Sequence, residues 1–385
     1  MTSEVFDGVF GTTAVSAALD DAAIIDAMCE AETALARACA RAGLVELPVA
    51  LEIGAACEEV RSLAAGELSR RAAGGGNPVI PLVAELRAVV ERRAGSDAAA
   101  AVHLGATSQD ILDTALMLVA SRALGIVVAD VGDCATSTAA LAHAHRNTPM
   151  AARTLLQRAL PTTFGAVAAG WGSALDAAAD KLRSVRSELP VQLGGAAGTL
   201  SVLHPKGWEV QSAFADELDL AVPAAIWHND RTVITALAGA LGTCAATLAK
   251  VATDIVLLAQ SDVGELREGE PGGSSAMAHK QNPIAAITAR GAAMQAPGLV
   301  ATLLSAAAPE LQRGAGSWHA EWPALLALLR YSGGAASRLR SSLNGLQVVP
   351  ETMSANLAAL SDDVDIADTG AAGEIVDRYL ERRPR

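Results

Sequence analysis

The sequence predicts an all-α protein built around a bundle of long helices. Apolar residues recur at the i, i+3, i+4 and i+7 spacing of a helix over most of the 385 residues, between short breaks at Gly and Pro. No segment shows a convincing alternation of apolar and polar residues of the kind that marks a half-buried strand. The helical windows cover residues 22–41, 51–70, 81–94, 108–147, 161–189, 230–266, 282–308 and 322–343.

The longest windows, 108–147 and 230–266, would each span on the order of 50 Å at about 1.5 Å per residue. Central segments such as AVAAGWGSALDAAADKL and ALAGALGTCAATLAKVATDIVLLA are apolar around much of their circumference. Helices of this kind need burial on several sides, so we expect an oligomer in which they pack against helices of other subunits. The compositional bias of a GC-rich genome is the alternative explanation for the abundant alanine and glycine.

Composition limits the classes of partner. The formal net charge is −13 at pH 7 and only 3% of the residues are aromatic, so the sequence lacks the basic surface and stacking groups of a nucleic-acid binder. A small anionic substrate stays open, because a few arginines and lysines can set the potential of one cleft. With 51% hydrophobic residues and this length, we expect two or three domains with well-filled cores.

Cysteine usage and hydropathy predict a cytoplasmic protein. The five cysteines form no CxxC pair and have no histidine at metal-ligand spacing, so we expect reduced, buried thiols and no metal site. The opening residues MTSEVFDGVFG are acidic, and no secretory signal is expected there. The apolar stretch 231–258 contains Lys250 and Asp254, which favours a buried bundle helix over a membrane span.

Three polar stretches interrupt this apolar frame, and the first is HLGATSQDILDT, His103–Thr114. Thr107, Ser108 and Gln109 lie at the start of the long helix, and Asp110 suits its first turn. Free backbone N–H groups at a helix start can bind a carboxylate. An ordinary helix cap explains the same residues equally well.

The second stretch is MAARTLLQRALPTTFG, at 150–165. Arg153, Thr154, Gln157 and Arg158 precede Pro161, which we interpret as the start of the next helix. A guanidinium can hold an anion through two parallel hydrogen bonds, so Arg153 or Arg158 is a candidate for substrate binding. A solvated pair of arginines is the alternative.

The third stretch, GGSSAMAHKQNP at 272–283, concentrates two glycines, two serines, a histidine, a lysine and an asparagine. Gly272 and Gly273 let the backbone move and approach a ligand, and Pro283 starts the next helix, which predicts a mobile lid with a rigid far edge. A serine here can act as a base only if its alkoxide is stabilised, as successive loop N–H groups and the ammonium of Lys280 could do. Lys280 and Asn282 could then bind a developing oxyanion, which implies proton transfer at a carbon next to a carboxylate.

GGSSAMAHKQNP resembles the signature loop GSSxMPxKxNP of the fumarase/aspartase superfamily, and the other two stretches match its other shared regions in the same order. Within that superfamily the sequence is similar to the 3-carboxy-cis,cis-muconate cycloisomerases. The similarity is carried by VFDGVFGTTAV near the start, GGNPVIPLV at 75–83, HLGATSQDILDTA, QLGGAAGTL at 192–200 and GSWHAEWPALLALLR at 316–330.

The resemblance implies a three-domain fumarase/aspartase-like fold whose long central helices assemble into a tetrameric core. We expect an N-terminal helical domain at 1–104, the central bundle domain at 105–345 and a short C-terminal helical cap at 346–385. In such enzymes each active site is shared between three subunits of a homotetramer, and no cofactor is needed.

The resemblance makes Ser274 the proton-transferring residue, with Lys280 and Asn282 as the oxyanion and carboxylate binders. It also places Thr107, Ser108 and Gln109 at a substrate carboxylate, and Thr154 and Gln157 on the facing wall. With the candidates from the residues themselves, the predicted substrate-binding set is His103, Thr107, Ser108, Gln109, Arg153, Thr154, Gln157, Ser275, Met277 and His279.

Departures from the superfamily pattern bear on the activity. Adenylosuccinate lyases and fumarases carry a histidine where this sequence has Leu155, which argues against both, whereas bacterial-type cycloisomerases also lack it. Ala278 replaces the loop proline, Gln281 replaces a common arginine, and WHNDR at 227–231 is shorter than the WHxxRDR-like segment we expect.

The implied reaction is lactonisation of a small polycarboxylate through an aci-carboxylate intermediate. The alternative is a β-elimination lyase that releases fumarate from nitrosuccinate, adenylosuccinate or argininosuccinate. A catalytically silent helical scaffold of the same fold is a third possibility, and the intact Ser274, Lys280 and Asn282 argue against it.

Overall fold

The computed structural model describes residues 4–10, 13–277, 279–360 and 364–383, so the substitution at Ala278 lies outside the described residues. The described chain is mostly helical, as predicted. The helices are α1 Glu4–Phe10, α2 Thr13–Ala18, α3 Asp21–Arg41, α4 Leu47–Val60, α5 Ala65–Ala72, α6 Val79–Ala94, α7 Ser96–Ala100, α8 Ser108–Ala144, α9 Phe164–Ser187, α10 Gly207–Leu218, α11 Thr232–Leu258, α12 Ile284–Ala293, α13 Ala296–Ala306, α14 Ser317–Leu343, α15 Pro350–Ala358 and α16 Ala372–Arg382. Four short strands are β1 Pro149–Thr154, β2 Gln157–Thr163, β3 Leu266–Arg267 and β4 Gln347–Val348.

A five-membered bundle forms the centre of the molecule: α8, α9, α11, the α12–α13 pair and α14. Helix α8 has 37 residues and therefore spans about 55 Å. It runs parallel to α14, since Trp318 contacts Asp113 near the start of both helices and Arg340 pairs with Asp130 farther along. We call the end near Thr107 the first end and the end near β1 and β2 the second end.

Two bundle helices, α8 and α11, are long and apolar enough to cross a membrane by length and composition alone. Their most apolar windows are 72% and 44% buried within the chain, respectively. Both helices pack against α9 and α14, so they are bundle helices, as the sequence predicted for 231–258. The partly open side of α11 leaves apolar surface at the flank of the bundle.

Two predicted helices are each split in two. Window 51–70 divides into α4 and α5, because the chain turns at 61–64, where the Ser62 hydroxyl donates to the carbonyl of Glu59. Window 282–308 divides into α12 and α13 at Met294 and Gln295, just before Pro297. Proline has no N–H to continue a helix but fits its first turn, so it starts a second helix here.

The prediction of no strands is wrong for the two-residue strands β3 and β4, the first of which overlaps the end of the helical window 230–266, and above all for residues 149–163. They form an antiparallel hairpin in which Thr154 pairs with Gln157, leaving Leu155 and Leu156 as the two turn residues. Pro161 consequently lies in β2 opposite Ala151 and does not start a helix. Instead α9 begins at Phe164, and the Thr163 hydroxyl accepts the N–H of Ala166 as its cap.

The segment after 345 packs against the second end and one side of the bundle. Strand β4 pairs with β3, and α15 contacts β1. Helix α16 lies along α9, where the Tyr379 hydroxyl donates to Asp176 over 3.1 Å. The domain boundaries at 104/105 and 345/346 stay predictions; the chain turns at both places through glycines with φ of 72° and 76°.

Candidate active site

The predicted site residues fall into two groups at opposite ends of the bundle. His103, Thr107, Ser108 and Gln109 lie at the first end, around the start of α8. The hairpin and the 272–283 loop both lie at the second end, where Arg153 of β1 pairs with Glu265 just before that loop. The length of α8, about 55 Å, separates the two groups within one chain.

At the first end, Asp110 ties the start of α8 to the loop at 194–195. Its carboxylate accepts the N–H groups of Thr107, Gly194 and Gly195, each over 2.9 Å. It also contacts Nε2 of His228 at 2.6 Å, and Asp110 itself is fully buried. Asp110 therefore caps the start of α8, and the same carboxylate also anchors the loop at 194–195.

One turn farther along α8, a buried ionic network lies beneath the helix start. Arg231 donates to both oxygens of Asp113, at 2.8 and 3.1 Å, and to Glu321 at 2.6 Å. Burial lowers the pKa of Arg231, but the two carboxylates outweigh it and the net shift is upward. Burial likewise raises the pKa of Glu321. Trp318 Nε1 completes the network by donating to Asp113 at 2.9 Å.

Gln109, a predicted substrate-binding residue, takes part in this internal network. Its side chain is fully buried, and Nε2 donates to the carbonyl oxygen of His228 at 2.8 Å and to Asp113 at 3.2 Å. The amide nitrogen therefore links the start of α8 to the buried network and to the 227–231 segment. Thr107 and Ser108 are only half-buried, so their side chains remain within reach of a ligand.

Arg313 supplies a cation at the first end that sequence reasoning missed. It lies between α13 and α14, and its guanidinium donates to the Thr107 hydroxyl at 3.1 Å and to the Ala196 carbonyl at 3.3 Å. Its side chain is exposed and forms no salt bridge with a carboxylate of the described residues. A guanidinium beside a helix start adds full positive charge to the partial charge of the free N–H groups. The segment that carries Arg313 has no periodicity or motif, so nothing in the sequence marks it.

At the second end, the 272–283 loop is closed at its neck by a pair of main-chain bonds. Gly272 and Asn282 exchange N–H and carbonyl groups over 2.9 Å in both directions. The Asn282 side chain donates to the Gly273 carbonyl at 3.5 Å, so its amide points into the loop. Ser275, Met277 and His279 are exposed on the loop.

Ser274 lies within this loop, and its hydroxyl oxygen faces main-chain donors. The N–H groups of Ala276 and Met277 approach Oγ at 3.3 and 3.2 Å. These donors would stabilise negative charge on the oxygen. Lys280 is exposed, and its ammonium makes no hydrogen bond or ion pair with any described residue, so its charge is available to a ligand.

The hairpin presents a tip of exposed residues. Leu155 and Leu156 are 96% and 71% exposed, and both have left-handed φ angles, 52° and 65°. Thr154 and Gln157 flank them and are also exposed. The guanidinium of Arg153, by contrast, forks onto the buried Glu265 at 2.8 and 2.9 Å, so it holds the hairpin against the loop segment.

The cysteines agree with their prediction, and the histidines of WHNDR and GSWHAEWPALLALLR differ in burial. All five cysteines are buried and free, as predicted. His228 is buried against Asp110, whereas His319 is exposed and its ring contacts Trp318 and Trp322. The shortened WHNDR segment thus contributes His228 and Arg231 to the first end, where both bind the start of α8.

Comparison with known proteins places this geometry in a family. Residues 7–298 match the lyase family. The chain belongs to this family, within the fumarase/aspartase superfamily. It is 42% identical over 355 residues to a 3-carboxy-cis,cis-muconate cycloisomerase of Bradyrhizobium diazoefficiens, covering 91% of this chain and 78% of that protein. It is 45% identical over 360 residues to a nitrosuccinate lyase of Streptomyces davaonensis, covering 90% and 75%.

The fold agrees with a solved structure in the same family. The 3-carboxy-cis,cis-muconate lactonizing enzyme of Pseudomonas putida superimposes with a TM-score of 0.90 at 32% identity, covering 98% of each chain. A fumarate lyase of Mesorhizobium superimposes with a TM-score of 0.85 at 29% identity, covering 97% of this chain and 99% of that one. The predicted superfamily fold is confirmed, and the protein is an enzyme of this superfamily.

Proposed function

We propose that the protein is a 3-carboxy-cis,cis-muconate cycloisomerase. The observation that carries the proposal is the environment of Ser274, whose oxygen faces two loop N–H groups on the same loop as the free ammonium of Lys280. This arrangement suits a serine that exchanges a proton as an alkoxide. The 42% identity to the Bradyrhizobium cycloisomerase and the fit to the Pseudomonas enzyme support the choice of substrate.

In the proposed reaction, one carboxylate oxygen of the substrate forms a bond to a carbon of the conjugated diene. The electron pair of that double bond moves onto a second carboxylate, giving an aci-carboxylate that Lys280 and Asn282 would stabilise. Ser274 then delivers a proton to the carbon beside that carboxylate, and the lactone is complete. Every atom of the lactone comes from the substrate except one proton, which Ser274 supplies and then regains from water, so the reaction as written requires no cofactor.

Substrate carboxylates would also bind at the first end of the bundle. Arg313 and the half-buried Thr107 and Ser108 surround the free N–H groups at the start of α8. Thr154 and Gln157 at the hairpin tip would form a facing wall. Arg153 would act indirectly, because its guanidinium is already bound to Glu265.

We propose that the protein is an oligomer, because the two groups of site residues cannot meet within one chain, and that the oligomer is the homotetramer that the superfamily resemblance implies. About 55 Å of α8 separates Thr107 from the hairpin, whereas a single small substrate must contact both. An antiparallel neighbour would bring its second end to the first end of this chain. A cavity of about 610 Å³ on the flank of the bundle, between α9 and α11, is lined by residues such as Val167, Gly170 and Ala246 and offers apolar surface for that packing. We place this assembly in the cytoplasm, with no membrane or nucleic-acid partner.

The second candidate is a lyase that releases fumarate from nitrosuccinate. It is favoured by the 45% identity to the Streptomyces nitrosuccinate lyase. Ser274 would then remove a proton from the carbon beside a carboxylate, and the same aci-carboxylate would expel nitrite.

Ultraviolet absorbance distinguishes the two activities. Purified protein is mixed separately with 3-carboxy-cis,cis-muconate, nitrosuccinate and adenylosuccinate. We expect rapid loss of the diene band with the muconate alone, and no loss with Ser274→Ala. Fumarate from nitrosuccinate, with the muconate unchanged, would overturn the cycloisomerase assignment and establish the lyase.

A further inference from the structure

A buried carboxylate, Glu32 of α3, lies beneath His103 and has no part in the predicted site. Glu32 Oε1 contacts Nδ1 of His103 at 2.6 Å. Glu32 is 1% exposed as a residue, and its second oxygen, Oε2, is buried without a hydrogen-bond partner among the described residues. The partner of this carboxylate is thus a histidine that was itself predicted to bind substrate.

Because Glu32 is buried, its contact with His103 affects the charge of both groups. An ionised carboxylate out of contact with water is strongly unfavourable unless a donor or a cation compensates it. Here His103 Nδ1 is the group within hydrogen-bond distance of Glu32. The pair therefore favours the imidazole form with a proton on Nδ1, and favours the imidazolium over the neutral ring.

The backbone at His103 is held in an unusual conformation. His103 has a φ of 64°, in the left-handed region that is costly for residues with a side chain. The Ala106 N–H donates to its carbonyl at 3.3 Å, so the turn leads directly into Thr107 at the start of α8. Such strain persists where the surrounding structure fixes a functional group.

Three charged groups face the His103 ring from the elements packed around it. Glu32 of α3 and Asp110 of α8 are acidic, and Arg87 of α6 is basic. Burial lowers the pKa of His103, but the charge and hydrogen bond of Glu32, with help from Asp110, outweigh it and leave the pKa raised. The other ring nitrogen, Nε2, has no partner among the described residues and is not among their fully buried polar atoms.

We propose that Glu32 is a positioning residue that acts through His103. By binding Nδ1–H it fixes the ring as a cation whose Nε2–H is directed to a substrate carboxylate beside the start of α8. The proposal deepens the proposed function, since it rests on the substrate being a polycarboxylate. It assigns one further positive charge to the first end, in addition to Arg313 and the free N–H groups of the helix.

The test combines histidine NMR with ligand binding. The parent, Glu32→Gln and His103→Gln are labelled with ¹⁵N-histidine and titrated, and His103→Gln identifies the His103 signals. Binding of tricarballylate, a saturated tricarboxylate, is measured by calorimetry at pH 6 and pH 8. Glu30→Gln is the matched control, because Glu30 lies on the same helix but pairs with Arg122 at the surface.

In the parent we expect His103 to titrate above its ordinary pKa. In Glu32→Gln we expect its pKa to fall below the ordinary value, because the charge of Glu32 is lost and burial becomes the largest effect. Tricarballylate should bind Glu32→Gln about tenfold more weakly than the parent at pH 8, and the loss should be smaller at pH 6, where the ring of the variant begins to gain a proton. His103→Gln should bind weakly at both pH values, and Glu30→Gln should match the parent.

The proposal is overturned if His103 of the parent titrates below its ordinary pKa, a result that needs no variant to fold. An equal loss of affinity at both pH values in Glu32→Gln, with a lower melting temperature, would likewise reduce Glu32 to a structural role. Failure of the proposed function looks different: the parent would turn over none of the tested carboxylates, while tricarballylate binding would still depend on Glu32 and on pH.

Discussion

At the first end of the bundle, Asp110 and Asp113 are buried and both oxygens of each carboxylate accept hydrogen bonds. At the second end, Ser274 lies in a partly exposed loop, Lys280 is unpaired among the described residues, and the hairpin tip is almost fully exposed. The first end is therefore rigidly held by buried side chains, whereas the second end exposes the loop and the hairpin tip. In the proposed function, substrate binding at the first end and proton transfer by Ser274 at the second end are separated along one helix and would be brought together by assembly.

The largest effect should come from the second end. Ser274→Ala should lower kcat about a thousandfold, because a general acid or base is lost, and should leave stability unchanged because the hydroxyl bonds only to loop N–H groups. Steady-state kinetics and thermal melting test both parts. The comparison variant is Ser275→Ala on the same loop, which should retain most of kcat because Ser275 is predicted to bind substrate and not to transfer the proton. If Ser275→Ala is the inactive variant and Ser274→Ala is active, the assignment of the two serines is reversed.

A change in the buried ionic network at the first end should lower the stability of the fold. Arg231→Met leaves Asp113 and Glu321 buried without their cation, which should cost about 3–5 kcal/mol of unfolding free energy. Urea denaturation measures the change. Arg338→Met serves as the control, because Arg338 is only half-buried and bonds to main-chain carbonyls, so its loss leaves no buried carboxylate without a cation. Equal stability of the two variants would show that the buried network does not hold the first end together.

Arg313 tests whether the first end binds the substrate anion. Arg313→Met should raise KM about tenfold with little change in kcat, since the guanidinium is lost from the recognition surface and not from the proton-transfer step. Arg92→Met, at an exposed position near the end of α6, should leave KM unchanged. A fall in kcat at constant KM would assign Arg313 to the chemical step instead.

The smallest effect should come from the hairpin tip. Leucine is unfavourable at both left-handed turn positions, so Leu155→Asn with Leu156→Gly should stabilise the fold by about 1 kcal/mol. The same change should lower kcat/KM, because the tip would contact the substrate in a neighbouring chain. Urea denaturation and kinetics are measured on one preparation. Unchanged activity in a stabilised variant would show that the strained tip has no part in the site.

Features encoded over short distances were predictable. Local residue preferences and periodicity predict the long apolar helices and the start of α8 at Ser108. They also predict the break in helix that the two glycines and Pro283 make at the 272–283 loop. The hairpin was not predictable, because its turn is Leu-Leu, whereas such turns are usually marked by Asn-Gly or Asp-Gly. The split of 51–70 was missed because no glycine or proline marks the turn at 61–64.

By itself, the sequence determined the helical fold class, the superfamily and the loop that carries Ser274, Lys280 and Asn282, because each depends on residues close together in the chain. Only the tertiary structure decided which polar residues are already engaged. Arg153 is bound to Glu265, Gln109 to Asp113, and Glu32 to His103, across 112, 4 and 71 positions respectively. Two of these pairs join distant segments, and even the near pair depends on burial, which is set by the packing of other helices. The folded surroundings decide whether a polar side chain is free to bind a ligand. Burial and a compensating partner change the free energy of a charged group strongly, and neither can be read from the residue type.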